Sequence, residues 1–129
     1  MASLSTLDPD LRPWAEEFYR LAHQVVPGLV VTSARRTWFE QFRLYVKYLE
    51  EKGGNVGRPM LGWSLGQEEP KKVIPAAPPG TSAHEHGMAF DLARLNVDPW
   101  KDEFLPRLGA IWIRIGGIWR SSDPVHFEG

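Results

Sequence analysis

The residues able to do chemistry are few and grouped. Four histidines occur in the chain, and three fall at 84, 86 and 126. His84 opens Ser82-Ala83-His84-Glu85-His86-Gly87-Met88-Ala89-Phe90-Asp91, and His126 closes Asp123-Pro124-Val125-His126. Asp91 stands between Phe90 and Leu92 in a segment that reads as a strand. Alternation puts Ala89 and Asp91 on the face opposite Phe90 and Leu92. A carboxylate flanked by strand hydrophobes needs a partner, and a cation is the simplest one. A turn at Gly87 lets His84 converge on Asp91, and His126 on a neighbouring strand supplies a third ligand. Two histidines, one aspartate and a water make an open, catalytic type of tetrahedral zinc site. Such a site lowers the pKa of bound water to roughly 7.

Around these three the reading stays open at several positions. Asp123, three residues before His126, is either a base beside the water or a turn residue, since Asp-Pro commonly starts turns. His86 offers a His-x-His pair and a second ligand set, but its spacing to Asp91 does not fit a His-x-His-x-Asp-His site. His86 is read as a cleft-lining or structural residue. HExxH is absent. Trp112 has core spacing, whereas Trp119, beside the final motif, is read as lining the cleft.

Composition removes other chemistries. The 129 residues contain no cysteine, which excludes disulfides, thiol nucleophiles and Cys-ligated zinc. Lys+Arg is 15 against Asp+Glu 16, so there is no basic excess for nucleic acid. No apolar run reaches the ~18 residues of a membrane span, and the first residues do not resemble a signal peptide. One domain over 1–129 is expected.

The elements that position these residues read as α+β. Asp8-Pro9 reads as a helix start, with Leu11, Trp14, Phe18, Leu21, Ala22 and Val25 as its buried stripe. Leu29–Thr32 reads as a strand. Thr37 and Glu40 have capping-box spacing for a second helix with Phe42, Tyr45, Val46 and Leu49 buried and Gly53-Gly54 as its end. Residues 53–80, with six Gly and five Pro, read as a long loop with one short strand at Lys72–Ile74. Met88–Leu92 reads as a strand. A helix is expected after Asp98-Pro99, broken at Pro106, with closing strands at Ile118-Trp119 and Val125–Glu128. The result is a small antiparallel sheet carrying the zinc site, flanked by helices from the N-terminal half.

Ser82-x-His84-x-x-Gly87-x-Ala89-x-Asp91, followed by Asp123-x-x-His126-Phe127-Glu128, resembles the zinc peptidases of the LAS superfamily. The nearest branch holds D-alanyl-D-alanine carboxypeptidases and the L-alanyl-D-glutamate endopeptidases of phage endolysins. Ser33-Ala34-Arg35-Arg36-Thr37 with Gln41, Pro78-Pro79-Gly80-Thr81-Ser82 and Gly116-Gly117-Ile118-Trp119 extend the resemblance from about Ser33 to Glu128. It implies one zinc held by His84, Asp91 and His126, with Asp123 as general base. It implies Arg36 as the cation facing substrate oxygen or carboxylate, and Ser82 and Gln41 as supports of the cleft.

The expected activity is cleavage of peptidoglycan stem peptides by a monomer that does not insert into membranes. An endolysin-type endopeptidase is the leading expectation, acting from the host cytoplasm after release by another factor, or from a virion. The alternatives are a D-alanyl-D-alanine carboxypeptidase, or a zinc-retaining binding module without turnover. Retention of Asp123 and Arg36 favours an enzyme.

Overall fold

The computed structural model describes residues 2–57 and 77–129. They fall into two compact units, one formed by Met1–Arg36 with Ala83–Gly129 and the other by Thr37–Ser82. The first unit holds helix α1 (Arg12–Val25), strand β1 (Leu29–Ser33), strand β2 (Ala89–Arg94), helix α3 (Phe104–Arg114) and strands β3 (Ile118–Trp119) and β4 (His126–Glu128). The second holds α2 (Trp38–Gly57). The four strands form one antiparallel sheet in the order β1-β2-β4-β3. The architecture is α+β, as the sequence implies.

Cross-strand register decides which side chains meet. Asp91 pairs with His126, Ala89 with Glu128 and Phe90 with Phe127. Directly opposed residues share a face, so Asp91, His126 and Glu128 lie on one face while Phe90 and Phe127 lie on the other. A bulge between Val31 and Ser33 shifts β1 by one residue and sets Ser33 opposite Asp91.

The apolar face carries the core. Phe90 and Phe127 stack with ring centroids 5.6 Å apart, Phe18 of α1 lies 5.0 Å from Trp112 of α3, and Trp112 meets Phe90 edge-on at 5.3 Å. Such aromatic pairs contribute about 0.5–1.5 kcal/mol each beyond their buried area. Trp112 is core, as its spacing implies.

Several local expectations shift. The Asp8 carboxylate accepts from the Asp10 amide and its carbonyl accepts from Leu11 and Arg12, so it closes a turn and α1 starts only at Arg12. The buried stripe of α1 is Ala15, Phe18 and Ala22, preceded by buried Leu11 at its N-cap, whereas Trp14, Leu21 and Val25 are exposed. The two alanines occupy the face turned to the core, and the large side chains fall beside it.

The capping box of α2 forms as read: the Thr37 amide donates to Glu40 Oε1 at 3.0 Å, and the Glu40 amide donates to Thr37 Oγ1 at 3.1 Å. The helix then runs through Gly53-Gly54 to Gly57, because interior glycine costs about 1 kcal/mol without breaking a helix. Phe42 and Leu49 are exposed, Tyr45 and Val46 half-buried. Phe42 instead stacks on Trp38 with centroids 5.4 Å apart. The expected strand at 72–74, and residues 58–76 of the expected loop, lie outside the described residues.

Asp98 caps only a 3₁₀ turn, Pro99–Lys101. A second cap follows, with Asp102 Oδ1 accepting from the Phe104 amide at 2.9 Å. Pro106 therefore sits in the first turn of α3, where its missing N–H has no intrahelical acceptor to lose, and α3 is unbroken through Arg114.

Gly87 has φ +69°, and a Cβ there would come 2.7 Å from the Asp8 backbone nitrogen. The Asp8 amide donates to the Gly87 carbonyl at 2.9 Å, so the two segments are held at that distance. Gly87→Ala is expected to destabilise the fold by roughly 2 kcal/mol or more, combining left-handed strain with overpacking. Urea denaturation checks this; a midpoint equal to wild type would contradict it.

Candidate metal centre

His84 sits on a tight turn. The Met88 amide donates to the Ala83 carbonyl at 2.9 Å and the Gly87 amide to the His84 carbonyl at 3.3 Å. The segment after the β1 bulge runs alongside. The Arg36 amide donates to the His84 carbonyl at 3.0 Å, and the Ala34 carbonyl accepts from His84 Nδ1 at 2.7 Å. A carbonyl only accepts, so Nδ1 carries the hydrogen and Nε2 presents a lone pair.

The same argument fixes His126. Its Nε2 lies 2.9 Å from Glu128 Oε1, and a carboxylate accepts, so Nε2 carries the hydrogen and Nδ1 is left facing the cluster. His84 Nε2 is 3.0 Å from Asp91 Oδ1 and 3.1 Å from His126 Nδ1, and His126 Nδ1 is 3.4 Å from Asp91 Oδ1. Arg36 Nη2 donates to the other Asp91 oxygen at 3.2 Å. His84 is buried, while the Asp91 and His126 side chains are partly open to solvent.

The donor set fits a small divalent cation. Three lone pairs converge within 3.4 Å, which is repulsive unless a positive charge lies among them. Tetrahedral bonds of ~2.0–2.1 Å to nitrogen and oxygen give donor–donor edges of ~3.3 Å, and the three separations bracket that value. Each donor is also oriented from behind, His84 by Ala34, His126 by Glu128 and Asp91 by Arg36, in the pattern of metal-ligand supports.

The electrostatics agree. Burial would raise the Asp91 carboxyl, but in the metal-free cluster hydrogen bonds from the His126 and His84 rings in their protonated forms, with the charges of His84 and Arg36, outweigh it and bring it to about 2. Burial also opposes charge on His126, yet hydrogen bonds to Asp91 and Glu128, with the charges of Asp91 and Asp123, push its pKa above the ordinary value. Asp123 is raised, first by burial and then by the charge of Asp91, with His126, His84 and Arg36 pulling the other way. The Asp123 carboxyl thus feels the charges of all four groups. Its backbone forms the turn before β4, the Asp123 amide donating to Arg120 and its carbonyl accepting from His126.

Thus the structure brings His84, Asp91 and His126 together, with Arg36 bonded to Asp91 and Asp123 on the turn before β4. Trp119 does not line this face. It pairs with Phe127 across β3 and β4 and packs over Gly109, where a Cβ would fall 2.2 Å from its ring, and its Nε1 donates to the Pro124 carbonyl at 2.9 Å. It braces the turn that carries Asp123 and His126. His86 is exposed on the His84 turn. In the second unit, Gln41 and Ser82 are buried, and Gln41 Nε2 donates to the Ala77 carbonyl at 2.9 Å. Sequence reasoning gave no role to Glu128, although its two-residue spacing from His126 puts both on one strand face.

A small antiparallel sheet presenting a His/Asp/His cluster on an α+β frame is the arrangement of a metal-binding protein. Residues 5–106 match the family model VanY, D-alanyl-D-alanine carboxypeptidase. The chain belongs to that family. The matched span holds Arg36, His84 and Asp91, while Asp123 and His126 lie beyond it. Among solved structures, the chain is similar to a mutant of the vancomycin resistance D,D-pentapeptidase VanY from a VanB-type resistance cassette, in complex with Zn(II). The TM-score is 0.67 and the identity 19%, covering 95% of this chain and 71% of that one. It is also similar to VanYB in complex with D-alanine-D-alanine, with TM-score 0.65 and 18% identity over 95% and 70% of the two chains. No curated protein matches significantly. The family found is the carboxypeptidase one, so the comparisons favour that alternative over the endolysin-type endopeptidase.

Protons and metal compete for His126 Nδ1. His126 is raised above 6.5, so ion pairs of its charged form stabilise the metal-free fold below that pH and fade as pH rises through the raised value. Zinc affinity runs the opposite way. It is expected to fall about tenfold per pH unit below the raised pKa, where one proton must leave. Competition titrations between pH 5 and 8 check this; a pH-independent affinity would contradict it.

Proposed function

We propose that the protein is a zinc-dependent D,D-carboxypeptidase that removes the terminal D-alanine from peptidoglycan stem peptides. The observation that carries the reading is the convergence of His84 Nε2, Asp91 Oδ1 and His126 Nδ1 at 3.0–3.4 Å. The family match supports it, as do the Zn(II) and D-alanine-D-alanine complexes of the similar structures.

Zinc held by His84, Asp91 and His126 would supply a Lewis acid and would lower the pKa of a water to roughly 7. The chain's own groups supply the rest. Asp123 takes a proton from the water that attacks the amide carbonyl and passes it to the amine of the departing D-alanine. Its raised pKa suits both halves of that transfer. Arg36 adds to the histidines in keeping Asp91 ionised and supplies positive charge beside the carbonyl oxygen as negative charge develops there. The buried surroundings of the cluster strengthen each of these interactions.

Asp123 also argues against a binding module without turnover, because a carboxylate poised beside the cluster serves catalysis and not ligation. Asp123→Ala is expected to keep one zinc per chain and lose about 10²–10⁴-fold in kcat. Retained turnover would overturn the assignment.

The bond cut is read from fragments. Incubation of purified peptidoglycan and of acyl-D-Ala-D-Ala peptides should release D-alanine, stop with chelator and resume with zinc, as followed by mass spectrometry. New L-alanine and D-glutamate termini would return the reading to an endopeptidase. No product from zinc-loaded protein would overturn the enzymatic reading of these substrates.

A further inference from the structure

We infer that Glu128 is a positioning residue: it fixes which nitrogen of His126 faces the metal, and it is itself fixed by the hydrophobic core. The inference rests on the metal reading of the His84, Asp91 and His126 cluster.

An imidazole can present either nitrogen, and only one hydrogen bond decides between them. For His126 that bond is Nε2–H to Glu128 Oε1 at 2.9 Å. Residues two apart on a strand share a face, so the carboxylate reaches the ring without distorting the backbone. The backbone of Glu128 is anchored on the opposite side. Trp112, which is 2% exposed, donates its Nε1 hydrogen to the Glu128 carbonyl at 2.8 Å. Glu128 is also paired on both edges, with Ala89 of β2 and Ile118 of β3. Next to it, the Gly129 amide donates to the Met88 carbonyl at 2.8 Å.

A continuous path therefore runs from the Trp112 indole, through Glu128, to His126 Nδ1. An ionised acceptor also makes the ring more electron-rich, which strengthens Nδ1 as a donor. Loss of the carboxylate frees the ring to flip or change tautomer, and the cluster then presents an N–H where a lone pair is needed.

The test uses the full chain with zinc alone as the probe. Zinc Kd is measured by competition with a chromophoric chelator for wild type, Glu128→Ala and Glu128→Gln, with the cobalt(II) absorption spectrum as a second readout. Near-ultraviolet circular dichroism confirms folding. Glu128→Ala is expected to weaken zinc about 10–100-fold and alter the cobalt bands. Glu128→Gln, whose amide oxygen still accepts, should weaken zinc by less than about tenfold. Nitrogen-15 NMR of metal-free wild type at alkaline pH should find the His126 hydrogen on Nε2.

Wild-type zinc affinity in a folded Glu128→Ala, with unchanged cobalt bands, would overturn the inference while leaving the metal site intact. A wild-type chain that takes up no zinc would instead overturn the metal reading, and this inference with it. Should Glu128→Ala not fold, the wild-type tautomer decides: hydrogen on Nδ1 overturns the inference.

Discussion

Three lone pairs held within 3.4 Å of one another, in a partly buried cluster, form an arrangement that only a cation or a proton relieves. Much of the sheet-bearing unit serves to hold that arrangement against its own repulsion. The β2–β4 register makes Asp91 and His126 direct neighbours. The β1 bulge turns the Ala34–Arg36 backbone onto His84 and the Arg36 guanidinium onto Asp91. Behind the sheet, the Phe18, Phe90, Trp112 and Phe127 rings fix strand positions that the ligands inherit. A donor set on paired strands is more sharply defined than one on loops, and two of the three donors are strand residues.

The same constraint assigns tasks to residues that touch no metal. Gly87 gives His84 its turn and admits the Asp8 backbone at close range. Gly109 leaves space for the Trp119 ring, and Trp119 then grips the Pro124 carbonyl in the loop between Asp123 and His126. Arg36, which the family resemblance casts as a substrate contact, lies against Asp91 and so acts first through the ligand. Membership in the VanY family joins this frame to D-alanyl-D-alanine carboxypeptidases, and the proposed chemistry needs no residue outside those the frame already places.

The candidate metal cluster was legible because its residue types are scarce and strand alternation fixes their direction. With four histidines and no cysteine, few metal sets could be written, and Asp91 between Phe90 and Leu92 pointed to one of them. The Thr37–Glu40 box was legible because capping is local. What failed depended on tertiary context. The core face of α1 runs through Ala15 and Ala22, and periodicity cannot choose between them and the neighbouring Trp14 and Leu21. Pro106 reads as a breaker until the Asp102 cap shows that the helix begins just before it. Trp119 lies beside the final motif in sequence, but strand pairing sends its side chain to the other face. Glu128 was in plain view on the closing strand, yet alternation alone puts it on the face of His126 without showing that the two side chains bond.

The most direct measurement is an anomalous difference map at the zinc edge from crystals of the zinc-loaded protein. The account predicts one peak per chain, ~2.0–2.2 Å from His84 Nε2, Asp91 Oδ1 and His126 Nδ1, with a fourth position left for a non-protein ligand. No peak among these three atoms, or a zinc bound instead through His126 Nε2 or His86, would contradict it.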